Sequence, residues 1–163
     1  WSITNVDKII KKYFNKKFIL LFPFCSPKLS HKKWPHYNEL IEIIKKEHPN
    51  LETVIAPGPD EIVESKKIKA ISITEHNKSI NLTQLAGLIN KSSYIIANDT
   101  GPAHMAAHLG KKGIVIFGYH TTPEKVSIET DNYKAITVDD LEKLSAEKVY
   151  QIIKEEIKLI NKF

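Results

Sequence analysis

Residues Tyr94 to Gly110 read YIIANDTGPAHMAAHLG, and no other stretch constrains the fold as much. Tyr94 to Ala97 is apolar and β-prone, and Asn98, Asp99, Thr100 and Gly101 break the run. Pro102 stands where a helix would begin; proline is tolerated there because the N–H it lacks would be unpaired anyway. Ala103 to Leu109 favours helix, and Gly110 stands at its end, the usual place for a C-terminal glycine. The stretch therefore predicts strand, tight turn, helix. The free N–H groups of a first helical turn, with the positive end of the dipole, make an anion site. Thr100 would add a hydroxyl, His104 a ring N–H, and Gly101 would allow close approach of a ligand. Asp99 falls at the carboxyl end of a strand, where open α/β sheets bind ligands. The same residues also suit a plain β–α corner, with Asp99 capping the helix, Gly101 serving the turn and His104 on the surface. Spacing alone does not separate the two readings.

The rest of the chain supplies the context. Strands are expected at 17–23, 51–56, 70–73, 113–117 and 133–138. Helices are expected at 5–15, 36–48, 60–67, 82–90 and 145–161, with a loop over 24–35. Strands alternating with helices imply an α/β fold: a Rossmann-like parallel sheet with helices on both faces. The fingerprint G-x-G-x-x-G is absent, which argues against simple NAD binding. At 163 residues the chain forms one domain with a real core. It opens on Trp1 rather than Met, so it is expected to be a piece of something longer or a processed product. The first and last helices should then lie at the domain margin. The apolar stripe of the last, with Ile153, Ile157 and Ile160, should be partly exposed for want of a partner domain.

The net charge is +5, and every basic residue is Lys. A nucleic-acid binder would use the bidentate fork of Arg, so the lysines read as a solvated surface and no nucleic-acid partner is expected. A basic face could help peripheral docking on an anionic membrane. The longest apolar run, Phe18 to Cys25, is far too short to span one. Cys25 is the only cysteine, so no intrachain disulfide forms, which suits the cytoplasm. As a nucleophile Cys25 lacks any neighbour that would orient it, and a packed thiol is the default.

Four loops would converge at the carboxyl ends of the strands. They hold Ser26, Lys28, Lys32, Lys33 and Trp34; Gly58, Asp60 and Glu61; Asp99 to His104; and Tyr119 to Thr122. A lysine opposite a helix N-terminus clamps a diphosphate, and a carboxylate after a glycine turn can accept from both hydroxyls of a ribose. His104 and His108 lie one turn apart, but the glutamate of H-E-x-x-H is replaced by Met105, and no metal or cofactor is expected. Trp34 could stack on a base, although packing beside the helix that follows is its default.

These pieces resemble the C-terminal half of the glycosyltransferase family 9 proteins, the ADP-heptose:lipopolysaccharide heptosyltransferases. The matching segments are Lys32-Lys33-Trp34-Pro35, Ala56-Pro57-Gly58-Pro59-Asp60-Glu61, Leu82-x-x-Leu85-Ala86-x-Leu88-Ile89, Asn98-Asp99-Thr100-Gly101-Pro102-x-His104-x-Ala106-Ala107, and Phe117-Gly118. Their order and spacing agree over nearly the whole chain. The resemblance implies a GT-B fold, two Rossmann-like domains with the active site between them. This chain would be the donor domain, and the N-terminal acceptor domain, with the catalytic base, would be absent.

The resemblance further implies that Lys32 contacts the diphosphate. Asp60 binds ribose, with Glu61 the competing assignment. Thr100 and Gly101 hold phosphate, and Asp99 and His104 contact phosphate and sugar. No residue here takes the role of base; without the resemblance Lys32 would be one more solvated lysine. The implied partners are an ADP-sugar donor and, through the missing domain, a glycolipid acceptor. Three positions depart from the family. Tyr119-His120-Thr121 follows Phe-Gly where Pro-Thr is usual, Ser26-Pro27 replaces a loop often holding glycine, and His108 stands in place of Ala. The alternative from another class is a non-catalytic module that binds a nucleotide or nucleotide sugar.

Overall fold

The computed structural model describes residues 2–162; Trp1 lies outside the described residues. Six strands form one sheet: β1 (Phe18–Phe22), β2 (Glu52–Ile55), β3 (Ile71–Ser72), β4 (Tyr94–Asn98), β5 (Gly113–Phe117) and β6 (Tyr133–Thr137). Their order is β3-β2-β1-β4-β5-β6, and every pairing is parallel. The chain builds outward from β1 to β3, returns to lay β4 against the other side of β1, and continues to β6. The turn in strand order therefore falls between β1 and β4, where Leu21 pairs with Ile96 and Phe22 with Ala97. A parallel sheet binds ligands at the carboxyl ends beside this switch point, because the loops there diverge and leave a crevice.

The helices are α1 (Asp7–Ile10), α2 (Tyr37–Glu47), α3 (Ile62–Ser65), α4 (Leu82–Lys91), α5 (Gly101–His108), α6 (Pro123–Val126) and α7 (Ala146–Lys162). Both sheet faces are covered, which is why β1, β4 and β5 are buried at every position rather than at alternate ones. Phe18, Leu20, Phe22, Ile95, Ala97, Val115 and Phe117 face α1, α4 and α5. Ile19, Leu21, Ile55, Ile96, Ile114 and Ile116 face α2 and α7. Asn81 caps α4 in a capping box, accepting from the Gln84 N–H at 2.9 Å while Gln84 reaches back to the Asn81 N–H.

The structure differs from the sequence expectations in four places. The first helix shrinks to α1, and Tyr13 lies outside the core, its hydroxyl donating to Thr74 O at 2.7 Å. The segment after β1 holds a 3-10 helix, Pro27–Lys32, and the 60–67 helix divides into a 3-10 turn, Pro59–Glu61, and α3. The stripe on α7 is not left open. Ile153 and Ile157 are fully buried against α2 and the sheet, and Ile160 is half-buried, because α2 and α7 cover the same sheet face side by side. The large apolar residues of α7 that do remain exposed are Ile152 and Leu159.

Candidate functional site

Strand β4 ends on Asn98, whose side chain is fully buried. Its Oδ1 accepts the Trp34 N–H at 3.2 Å and the Tyr37 hydroxyl at 3.1 Å, and its Nδ2 donates to Pro23 O at 2.9 Å. One amide thus ties the β1–α2 segment to the end of β4. Trp34 is itself 1% exposed, with its indole N–H donating to Leu144 O at 2.7 Å, so it anchors the segment rather than offering a face to a ligand. The 3-10 helix that ends at Lys32 is thereby held over the next residue of the β4 turn, Asp99.

The Asp99 carboxylate is buried and surrounded by cation-forming groups. Lys32 Nζ lies 2.8 Å from Oδ2, His120 Nε2 3.3 Å from the same oxygen, and His104 Nε2 3.5 Å from Oδ1. Burial pushes this carboxyl up, but Lys32 and His120 outweigh burial and hold it below the usual carboxylate range. The neighbouring Lys33 is committed elsewhere, to Glu64 of α3. Lys32 is thus the loop lysine that faces the helix N-terminus.

Helix α5 begins at Gly101. Pro102 has no N–H, and the amides of Ala103 and His104 bond back to Thr100 O, which leaves the Gly101 amide at the tip of the helix. Thr100 Oγ1 is buried with no partner among the described residues. An added Cβ at Gly101 would meet nothing within 4 Å, and the residue does not adopt a positive φ. Glycine at this position is therefore not demanded by the turn; any crowding from a side chain would fall on a ligand.

Beside the helix tip lies a recess of about 130 Å³, lined by Phe22, Phe24, Gly58, Glu61, Thr100 and Pro102 among others. Its walls are the carboxyl ends of β1 and β2 and the start of α5. Glu61 turns inward, accepting the Gly58 N–H at 2.8 Å through Oε2, and burial pushes its carboxyl up against that bond. Asp60 is exposed and outside this lining. An apolar recess with one carboxylate, reaching the first residues of α5, suits a flat ring carrying hydroxyls and a phosphate chain.

The structure therefore brings together Lys32, Asp99, Thr100, Gly101 and His104, and sets Asp60 apart from them. His108 and Tyr119 point to solvent. Among the described residues no group of three or more His, Cys, Asp and Glu is placed to hold a metal ion. Cys25 hydrogen-bonds Leu29 O at 3.1 Å, and burial raises its thiol, which leaves it unreactive. Two residues that the sequence names without a role take one here: Asn98, a breaker of β4 and part of the matching motif, and His120 of the fourth loop. The signal for Asn98 was a polar residue closing an all-apolar strand; the signal for His120 was its departure from the Pro-Thr pattern.

The glycosyltransferase family 9 (heptosyltransferase) profile matches residues 4–155. Lipopolysaccharide core heptosyltransferase OpsX of Haemophilus influenzae is 32% identical over 112 residues, which span 66% of this chain and 32% of that protein. The structure of E. coli ADP-heptose lps heptosyltransferase II superposes with a TM-score of 0.76 at 17% identity, over 93% of this chain and 50% of that one. E. coli heptosyltransferase WaaC with ADP gives 0.74 at 19%, over 91% and 47%. The chain thus spans half or less of the length of these relatives, and the structural matches speak for the Rossmann-like fold.

Proposed function

The chain belongs to glycosyltransferase family 9, and from that premise we propose that it is the donor-binding half of a heptosyltransferase-like enzyme. It takes a nucleoside-diphosphate sugar of the ADP-heptose type, for transfer to a lipopolysaccharide-core or related glycolipid acceptor. The observation that carries the reading is the convergence, at the switch point of the sheet, of Lys32, the Gly101 helix tip and the Glu61 recess. The base and ribose occupy the recess, with Glu61 rather than Asp60 accepting the ribose hydroxyls. The diphosphate lies across Lys32, Thr100 and Gly101, and the sugar extends towards His104.

The reaction is an inverting displacement. The acceptor hydroxyl attacks the anomeric carbon, the bond to the diphosphate breaks, and the nucleoside diphosphate leaves with the electron pair. This half stabilises the charge that grows on the leaving group, through Lys32, the helix tip and His104. The acceptor hydroxyl's proton goes to a base in an N-terminal domain, and the acceptor is held there. No helix among the described residues is long and apolar enough to cross a membrane. The proposed route to a glycolipid acceptor is docking at the cytoplasmic face of the membrane.

Titration calorimetry with ADP, UDP and GDP tests the reading. ADP binds most tightly, and residues 1–163 transfer no sugar by themselves. Turnover of an ADP-sugar above a heat-killed control sinks the two-half arrangement, and absence of binding by all three nucleotides sinks the donor site. A non-catalytic nucleotide-sugar module is the second reading. It is favoured by one observation, that the groups gathered on Asp99 are a lysine and two histidines, a set that suits holding an anion. Active full-length protein excludes it.

A further inference from the structure

His120 is the one group at this site that neither the fold nor the donor-binding reading explains. Its side chain is 5% exposed, with the ring stacked on Phe117 at 6.1 Å between centroids and edge-on to His31 at 5.5 Å. The ring is therefore held firmly, yet its nitrogens are poorly used. Nδ1 has no partner among the described residues, and Nε2 lies 3.3 Å from Asp99 Oδ2 without an aligned hydrogen bond. Buried polar groups are normally bonded, so a buried imidazole left this way is built for a second state of the site.

The charges around it say which state. From the β1–α2 segment Lys32 and His31 face the ring; from the β4 turn comes Asp99; from α5 His104 stands on the far side of the Asp99 carboxylate. The segment after β6 sets Leu141 against Gly118 and brings Asp139, Asp140 and Glu142 to the recess that His31 and Tyr119 line, beyond His31 as seen from the His120 ring. Without ligand Asp99 and Lys32 balance one another. Burial and the Lys32 charge both push the His120 ring down, with Asp99 opposing them, so it is neutral at pH 7. A diphosphate laid on Lys32 and the helix tip adds negative charge to a partly buried site, next to a carboxylate that is already ionised. Unbalanced charge of this kind is costly away from water.

We propose that His120 is a positioning residue of the donor site. It shares the Asp99 carboxylate with Lys32 and takes up one proton from solvent when a nucleoside-diphosphate sugar binds. The imidazolium then holds Asp99, which frees Lys32 to turn its ammonium to the diphosphate. This rests on the donor-binding reading and deepens it, since it makes donor binding proton-linked. Neither a threonine nor an amide at position 120 can supply that charge.

The test is nuclear magnetic resonance of the histidine rings in the isotopically labelled chain, titrated from pH 5.5 to 8.5, with and without saturating ADP-glucose or UDP-glucose. The diphosphate diester of these ligands keeps its charge across the range, so any proton taken up belongs to the protein. The expected result is that His120, assigned by its loss in His120→Gln, is neutral at pH 7 in the free chain and becomes imidazolium on binding. The Gly101 and Thr100 amides shift in the same titration. His120→Gln weakens binding roughly tenfold at pH 6.5 and flattens the rise in affinity that the parent shows on acidification, an effect that mere loss of packing would not give. Shifts at Gly101 and Thr100 with His120 still neutral overturn the proposal and leave the donor site standing. No shift at those amides with either ligand overturns the donor site, and the proposal with it.

Discussion

Two histidines, one at the end of α2 and one in the loop after β5, do opposite things. His48, at the end of α2, is 4% exposed and has both ring nitrogens occupied: Nε2 pairs with the Tyr150 hydroxyl at 3.0 Å, and Nδ1 with Asn161 Nδ2 at 2.8 Å. Its partners are neutral and lie on α7, so it staples one packed helix to another. His120 is half-buried as a residue with a side chain only 5% exposed, but its neighbours are an ionised carboxylate and a lysine, and its hydrogen-bonding capacity is unspent. The same side chain under similar burial serves packing in one place and a charged opening in the other. Satisfied polar groups stabilise a fold, while unsatisfied ones at a sheet edge mark where a ligand completes the structure.

The contrast is sharpest at two glycines. Gly87 of α4 sits under the N-terminal segment, where an added Cβ would collide with Thr4 O and come within 3.0 Å of Val6 Cγ1. Gly87→Ala should lower stability by about 1–3 kcal/mol, read by chemical denaturation. Gly101→Ala should leave stability unchanged and weaken ADP binding, because its surroundings are open. An equal loss of stability in both would erase the distinction between packing and site.

Lys32→Ala comes next. It should weaken ADP binding about tenfold or more, since one charge-assisted bond of about 1.5 kcal/mol is a factor of ten. A surface lysine would leave the melting temperature alone, but Lys32 is 22% exposed and paired with a carboxylate that is 5% exposed. Its loss strands that charge, so the free chain should also lose about 1–2 kcal/mol, less than in a fully buried pair because the lysine is partly solvated. An unchanged melting temperature would show that His104 and His120 compensate Asp99 alone.

A smaller effect separates the histidines by pH. Burial lowers the His48 pKa in the folded chain. The unfolded chain therefore takes up its proton first, near pH 6.5, and stability falls as pH drops below that value. The loss is at most about 1.4 kcal/mol per pH unit. Denaturation at pH 7.5 and 5.5 should show a smaller acid loss in His48→Gln than in the parent, and the two should differ without any added nucleotide. Lys45→Ala should do least. Its ammonium bonds Lys69 O at 2.6 Å on an exposed face, and neither melting temperature nor ADP affinity should move measurably.

The sheet was legible in the sequence because a parallel sheet covered on both faces needs strands with near-continuous apolar runs, and FILLF, YIIA and GIVIF announce this directly. The strand–turn–helix of the β4–α5 corner was legible for a similar reason: proline and glycine act on their own neighbours. Side-chain burial across layers was not. The stripe on α7 reads the same whether it meets another domain or α2 of its own chain, and only packing shows that α2 takes it.

The sequence by itself determined the elements, their alternation and the anion-binding corner, since backbone preference and apolar periodicity are local properties. Tertiary structure decided what is not local. It turned Glu61 inward and left Asp60 outside, through one bond to the Gly58 amide. It spent Trp34 on the core and made Asn98 the tie between two loops. It also set His120 and Lys32, 88 positions apart, against one oxygen of Asp99. The energy of a buried charge depends on which groups surround it in space, and no pattern along the chain encodes that sum.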